Sequence, residues 1–420
     1  MADQRTLDMD YVHSQFPALA NGWTFFDNAG GSQILSKALD RINAFLIERN
    51  VQIGGSYEVS QKAAEALLDA RKSAAQLVNA SRPEEIIFGA STTVLLQNLA
   101  RAMRSQFKPG DEIVVTIGDH ESNIGPWVAL EEFGVNLRFW EPDVKTGRLT
   151  LDGLKAAMSD RTKLVCVTHV SNIIGEINPI REFADYAHKN GAKICIDAVA
   201  YAPHRAVDVK AFDADYYVFS LYKTYGPHGA MMYGKYDLLL ELDTLYHYFY
   251  GKDKVPGKLE AGNPSYEMAY SVCGIVDYLT ELGERAMGDK SGTGSVRDKI
   301  VAAYDAIAAQ ENALTERLLT YLRGRNDCVI VGQDDNRDGT RIPTIAFRFD
   351  GRNAEDVCKI IDREKIAIRF GDFHSRRLVE YMGLSDNAGV LRVSMVHYNT
   401  IEQVDRLTAA FDRLLDATDQ

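Results

Sequence analysis

Between residues 85 and 235 the chain repeats one pattern, a short apolar run followed by a segment with helical periodicity, and this pattern constrains the fold more than anything else in it. The runs cover residues 85–88, 112–117, 163–168, 193–196, 215–219 and 230–233. They are continuous rather than alternating, so both faces of each strand are buried, as in a mostly parallel sheet covered by helices. The fold class is α/β. Helical segments at 61–79 and 151–158 supply crossovers between parallel strands. In the first, Ala64, Leu67, Leu68, Ala75 and Leu77 are expected to face inward, leaving Glu65, Asp69, Arg71 and Lys72 to solvent.

Beyond that series, the polar, glycine-rich stretch 288–295 reads as a surface loop near a domain boundary. A long helix at 296–323 follows, then shorter strands and helices: strands near 328–331, 344–347, 366–368 and 391–394, helices from Ala354, near Arg376 and from Ile401. The expected division is an N-terminal segment, 1–30, a large domain, 31–287, and a small C-terminal α+β domain, 288–420, joined by the N-terminal residues.

Charge and cysteine usage narrow the setting. The 420 residues carry a formal charge of −12, which argues against nucleic acid and against anionic membranes as partners, since both need Lys and Arg to offset phosphate. The five cysteines, Cys166, Cys195, Cys273, Cys328 and Cys358, are widely spaced and mostly flanked by apolar residues, so they read as reduced core thiols. No CxxC or HExxH pattern occurs, and no metal site is expected. The polar start and the lack of any apolar run near the roughly 20 residues of a membrane span point to a cytoplasmic protein.

In open α/β sheets ligands bind beyond the carboxyl ends of the strands, so the residues after each run carry the chemistry. After Phe88 come Ser91, Thr92 and Thr93 at the start of a helical pattern, a place suited to a phosphate or to a plain N-cap. His120 follows the second run, and a Thr168-His-Val-Ser-Asn172 stretch the third. Asp197 ends the fourth and Lys223 follows Ser220 after the fifth. Asp and Lys are rarely buried unless paired, so two readings fit: a salt bridge between neighbouring strand ends, or a pyridoxal phosphate site in which the lysine forms the Schiff base and the carboxylate holds the ring nitrogen.

Taken in order, Phe26-Asp-Asn-Ala-Gly30, Thr92-Thr93, His120 with Asn123-Ile-Gly-Pro-Trp127, Thr168 to Asn172, Asp197, Phe219 to Pro227, Glu260-Ala-Gly-Asn-Pro264 and Arg392 to Thr400 resemble the motifs of class V aminotransferases, with the strongest likeness to group II cysteine desulfurases and selenocysteine lyases. The resemblance runs from about residue 8 to about residue 415. It implies a fold-type I, pyridoxal-phosphate-dependent homodimer with its active site at the subunit interface. It makes Lys223 the Schiff-base lysine, Asp197 the ring-nitrogen partner and His120 the imidazole stacked on the ring. Thr92, Ser220 and Tyr222 fall at phosphate contacts, and Ser91 joins the cofactor-binding set from its place at the helix start. Asn263, where a threonine is usual, lies in the segment that reaches the neighbouring subunit's phosphate. Arg392 matches the clamp on the substrate α-carboxylate, with Asn172 beside it.

Two departures shape the expected reaction. The loop that carries a nucleophilic cysteine in these desulfurases reads Arg369-Phe-Gly-Asp-Phe-His374-Ser375, with His374 in the cysteine's place, and the usual glutamine three residues after Asp197 is Ala200. A persulfide needs a thiolate there. The reading is therefore an enzyme acting on a small α-amino acid, a carbon–sulfur or other β-substituent lyase in which Lys223 takes the Cα proton and His374 serves as a general acid or binds a substrate anion. An aminotransferase or epimerase is the alternative, ahead of a cysteine desulfurase proper or a non-catalytic partner. The aromatic cluster Tyr246, Tyr248, Phe249 and Tyr250 fits either a substrate pocket or an interface.

Overall fold

The computed structural model describes residues 7–336 and 339–416. A two-residue strand, β1 (Thr24–Phe25), comes first. Seven strands then build one sheet: β2 (Ile86–Gly89), β3 (Glu112–Thr116), β4 (Asn136–Trp140), β5 (Thr162–Thr168), β6 (Lys193–Asp197), β7 (Tyr216–Ser220) and β8 (Ala230–Gly234). Their order is β2-β8-β7-β6-β5-β3-β4. Strands β4, β3, β5, β6 and β7 run parallel, and β8 lies antiparallel to both its neighbours. Every residue of β3, β7 and β8 is buried, which is why these strands appear in the sequence as unbroken apolar runs.

The edge strand β4 is absent from the expected set. It has only β3 beside it, and Asn136, Arg138 and Phe139 face solvent, so its sequence lacks the continuous apolar signal.

The crossover helix Glu58–Val78 corrects one expectation. Leu68 is 46% exposed, whereas Arg71 is buried. The buried face is a stripe of small residues, Ala63, Ala66, Ala70 and Ala74, which lets the helix pack closely. Arg71 is tolerated inside because a carboxylate, Glu260, meets it there.

Residues 288–295, expected as a loop, instead form a 3-10 helix, Gly288–Thr293, and beyond it the helix Val296–Arg323 serves two cores: Ile300, Ala303 and Ile307 pack with the large sheet, while Leu314, Leu318 and Leu322 pack with the C-terminal elements. Those elements are β9 (Cys328–Ile330), β10 (Thr344–Phe349), β11 (Ile366–Ala367), β12 (Arg369–Gly371) and β13 (Val390–Ser394), with the helices Ala354–Asp362 and Ile401–Asp416 over them. β12-β13-β10-β9 form an antiparallel sheet, and β11 instead pairs in parallel with β1. The single strand expected near 366–368 is thus two short ones. The break at Ile368 joins the N-terminal residues to the C-terminal unit and sets Asp27 beside Ser394.

Candidate active site

The carboxyl ends of the parallel strands bring most of the expected residues together. Asp197 is the last residue of β6 and Ser220 the last of β7, and a single 3-10 turn, Leu221–Lys223, carries Lys223 past the sheet edge. Ser91, Thr92, His120, Asn172, Asp197, Ser220, Tyr222 and Lys223 line one cavity. A second cavity, of about 400 Å3, shares His120, Asn172, Tyr222 and Lys223 with it and adds Arg369, His374 and Arg392.

At one end the helix Thr92–Met103 presents its N-terminus. Ser91 caps it, its hydroxyl accepting from the Val94 N–H at 3.2 Å. The buried hydroxyls of Thr92 and Ser220 lie 2.8 Å apart. Free backbone N–H groups and hydroxyls at a positive helix end suit a phosphate.

At the floor, the Val199 N–H donates to Asp197 Oδ1 at 2.9 Å. Burial raises this carboxyl to about 6, against the pull of the Val199 N–H, Lys223 and Ser122. Ser122 also orients His120: its N–H donates to Nδ1 at 3.1 Å, and its hydroxyl lies 2.8 Å from the same nitrogen. Burial, then the nearby Lys223, His374 and Arg392, lowers His120 to about 4, so the imidazole is neutral. Burial, aided by Arg392 and opposed by Asp197, lowers Lys223 to about 8. Among the described residues the Lys223 amine is in no hydrogen bond or ion pair; it sits 5.8 Å from the Tyr222 ring centroid. The salt-bridge reading of Asp197 and Lys223 therefore fails on geometry, although the two charges still feel each other.

At the opposite end Arg392 is buried. Its Nη1 donates to the Asn172 carbonyl at 3.2 Å, its Nη2 to Asp27 at 3.1 Å, and its guanidinium stacks on Phe373 at 3.8 Å. Asn172 holds the loop that carries His374, donating to the Phe373 carbonyl at 2.9 Å and accepting from Ser375 Oγ at 2.7 Å. The His374 carbonyl accepts from the Glu121 N–H at 2.8 Å, and the His374 ring lies 5.3 Å from that of His120.

Asp27 and Arg369 stand in quoted motifs, yet sequence reasoning gave neither a role. Asp27 binds both arginines. Ser122 was missed too, since only folding shows that it touches His120. Asn263 joins none of these; it lines a separate cavity with Asn98 and His228. His169 turns away, stacked on Tyr201 at 3.6 Å with Nδ1 2.8 Å from the Tyr217 hydroxyl. All five cysteines are free thiols, and none lines either cavity. No cluster of metal-ligating side chains occurs among the described residues, and no helix there is long and apolar enough to cross a membrane.

The site has relatives over its whole length. The chain is 39% identical to the aminotransferase-like protein FGM3 of Gibberella zeae, covering 98% of this chain and 99% of that one. It is 31% identical to the cysteine desulfurase-like protein ustD of Aspergillus flavus, covering 98% and 92%. The apo structure of a cysteine desulfurase from Thermococcus onnurineus NA1 superposes with a TM-score of 0.85 at 25% identity over 98% of each chain. The fold is that of fold-type I enzymes, a large mixed sheet with a C-terminal antiparallel sheet. The family model for class V aminotransferases matches residues 24–295 and 299–407, and the chain belongs to that family, as a cysteine desulfurase-like member.

Proposed function

We propose that this protein is a pyridoxal-phosphate enzyme that acts on a small α-amino acid and cleaves the bond to a β-substituent, a carbon–sulfur bond foremost. One observation carries the reading: a lysine amine, unpaired and with lowered basicity, lines one cavity with a buried carboxylate and a hydroxyl-lined helix N-terminus. These groups fit the aldehyde, ring nitrogen and phosphate of the cofactor in turn, with His120 as the flat partner of its ring. When bound, the cofactor supplies an electron sink for a carbanion at the substrate Cα.

The protein's groups do the rest. Lys223 would hold the cofactor's aldehyde and, neutral above about pH 8, would be the base for the substrate's Cα proton. Asp197 holds a proton on the ring nitrogen. Arg392 binds the α-carboxylate through a planar guanidinium already oriented by Asp27 and Phe373. His374 faces the second cavity and gives a proton to the leaving group. The large domain, 31–287, carries the cofactor residues, and the small domain, 288–420, with the N-terminal residues carries the substrate clamp. Two subunits form the working unit.

Elimination is favoured over sulfur transfer because a persulfide needs a thiolate at the cavity, whereas burial foremost pushes both Cys328 and Cys358 to about 12. Borohydride reduction of the cofactor-loaded protein should fix the cofactor on the peptide containing Lys223. Incubation with a panel of sulfur-bearing amino acids should release pyruvate or a thiol. Transamination across the panel with no elimination sinks the lyase reading and leaves the aminotransferase alternative, which the likeness to an aminotransferase-like relative supports.

A further inference from the structure

His374 is exposed, but the residues on either side of it are buried. Phe373 belongs to an apolar cluster with Ile173, Ile174 and Leu378, and Ser375 is 1% exposed. Phe373 and His374 both have left-handed backbones, with φ of 51° and 59°. A residue with a Cβ seldom takes that conformation, and it persists only where the surroundings impose it.

The surroundings here are bonds on both sides of the ring. The Asn172 amide spans the turn: its Nδ2 donates to the Phe373 carbonyl at 2.9 Å, and its Oδ1 accepts from Ser375 Oγ at 2.7 Å. Within the turn the His374 N–H donates to Asp372 Oδ1 at 3.0 Å and the Ser375 N–H to the Asp372 carbonyl at 2.8 Å. From the far side the Glu121 N–H donates to the His374 carbonyl at 2.8 Å, while the Glu121 carboxylate accepts from Arg377 Nε and Nη2 at 3.0 and 3.2 Å. Glu121 follows His120 in the chain, so the turn is tied to the residue next to the flat partner of the cofactor ring.

The family resemblance sets Asn172 among the cofactor and substrate contacts. Its side chain is spent differently. Both of its hydrogen bonds among the described residues go to the His374 turn, and Arg392 takes only its backbone carbonyl, at 3.2 Å. An amide engaged through its nitrogen and its oxygen at once is fixed in orientation.

We propose that Asn172 and Ser375 are positioning residues: with the Glu121 N–H they impose the left-handed turn at Phe373 and His374, and that turn aims the His374 imidazole into the cavity it shares with Lys223 and Arg392. The proposal rests on the reading of His374 as the proton donor to the leaving group, and it moves Asn172 from holding the substrate to placing that donor. Neither residue needs a bond to the substrate, since the effect of both passes through His374.

Hydrogen–deuterium exchange on the full chain reads the turn without turnover. Ser375→Ala removes one buried hydroxyl, and exchange over residues 371–376 and at the Glu121 amide, whose acceptor is the His374 carbonyl, should quicken about tenfold. Asn172→Ala should do the same; if it does not fold, Ser375→Ala carries the test alone. Unchanged exchange at both places overturns the proposal, whatever becomes of the reaction. In turnover, each variant should lower kcat about tenfold and move KM by less than about twofold, as for a misplaced acid. The two changes together should cost no more than the larger one, and Ser375→Ala should add nothing in a His374→Gln background. A rise in KM on changing Asn172, with Ser375→Ala silent, returns Asn172 to substrate binding and overturns the proposal. Normal turnover by His374→Gln itself removes His374 as the acid, and the exchange result then decides on the turn by itself.

Discussion

Arg369 and Arg392 stand directly opposite each other on β12 and β13, and one carboxylate, Asp27, holds them both. Asp27 Oδ2 accepts from Arg369 Nε at 2.7 Å and Oδ1 from Arg392 Nη2 at 3.1 Å. Like charges facing each other across a sheet repel. With Asp27 between them the trio keeps one net positive charge, and Arg392 Nε is a buried donor without a partner among the described residues. A carboxylate brought into the cavity that Arg392 lines meets that charge.

Replacing that shared carboxylate should therefore cost stability and binding together. Asp27→Asn keeps the shape but leaves Arg392 buried without its counter-ion, and breaking such a pair costs about 2–4 kcal/mol once the partial exposure of Asp27 is allowed for. Urea denaturation should show that loss, and added sulfate should recover part of it by screening the two guanidiniums. An unchanged midpoint would mean that Asp27 does not hold the pair.

The lowered basicity of Lys223 has a direct pH signature. An amine attacks an aldehyde only when neutral, so loading of the apo protein with pyridoxal phosphate should speed up with pH by about tenfold per unit and level off above about 8. A lysine at its ordinary value would go on rising to beyond pH 10. Stopped-flow absorbance of the loading step, with Lys223→Ala as the blank, distinguishes the two curves.

Asp197 and Lys223 were legible in the sequence because both sit at the ends of strands buried on both faces, whose apolar runs announce themselves. The edge strand β4 was not, since one side of it meets water and its pattern dissolves. Arg71 was misplaced to solvent because its partner, Glu260, is 189 residues away, and nothing local separates a buried, paired arginine from a solvated one. The role of Asp27 depends on the split of residues 366–371 into two strands, and that split depends on pairing with β1 from the far end of the chain. Long-range pairing of this kind leaves no periodic trace.

The Arg71 to Glu260 pair itself should be sensitive to removal of either member. Both are buried, so Arg71→Leu or Glu260→Leu strands a buried charge, at about 3–5 kcal/mol, and Arg71→Leu also leaves the Ile86 carbonyl without its donor. The Arg71→Leu/Glu260→Leu double variant should recover only part of this, because Glu260 also accepts from the Phe88 N–H. Thermal unfolding of both single variants and the double variant closes the cycle; full additivity would show that the two residues do not interact.

Thiol chemistry gives a separate check. Single Cys→Ser changes at all five positions should leave turnover within about twofold, with losses in thermal stability confined to buried sites such as Cys166 and Cys195, where a hydroxyl replaces a thiol in the core. Collapse of activity on changing Cys358 alone, with the fold intact, would restore the persulfide route.

His374 should separate chemistry from structure. Its backbone ties the loop to Glu121, while its ring reaches the cavity beside His120. His374→Gln keeps the backbone bond and the bulk, so melting temperature should not move. If the imidazole gives a proton to the leaving group, kcat should fall by about 100-fold with KM little changed, the range typical of a lost general acid. The deficit should shrink for substrates with better leaving groups, because these need less help from a proton. A uniform deficit across leaving groups, or a rise in KM alone, would make His374 a binding residue and move the search for the acid to Lys223.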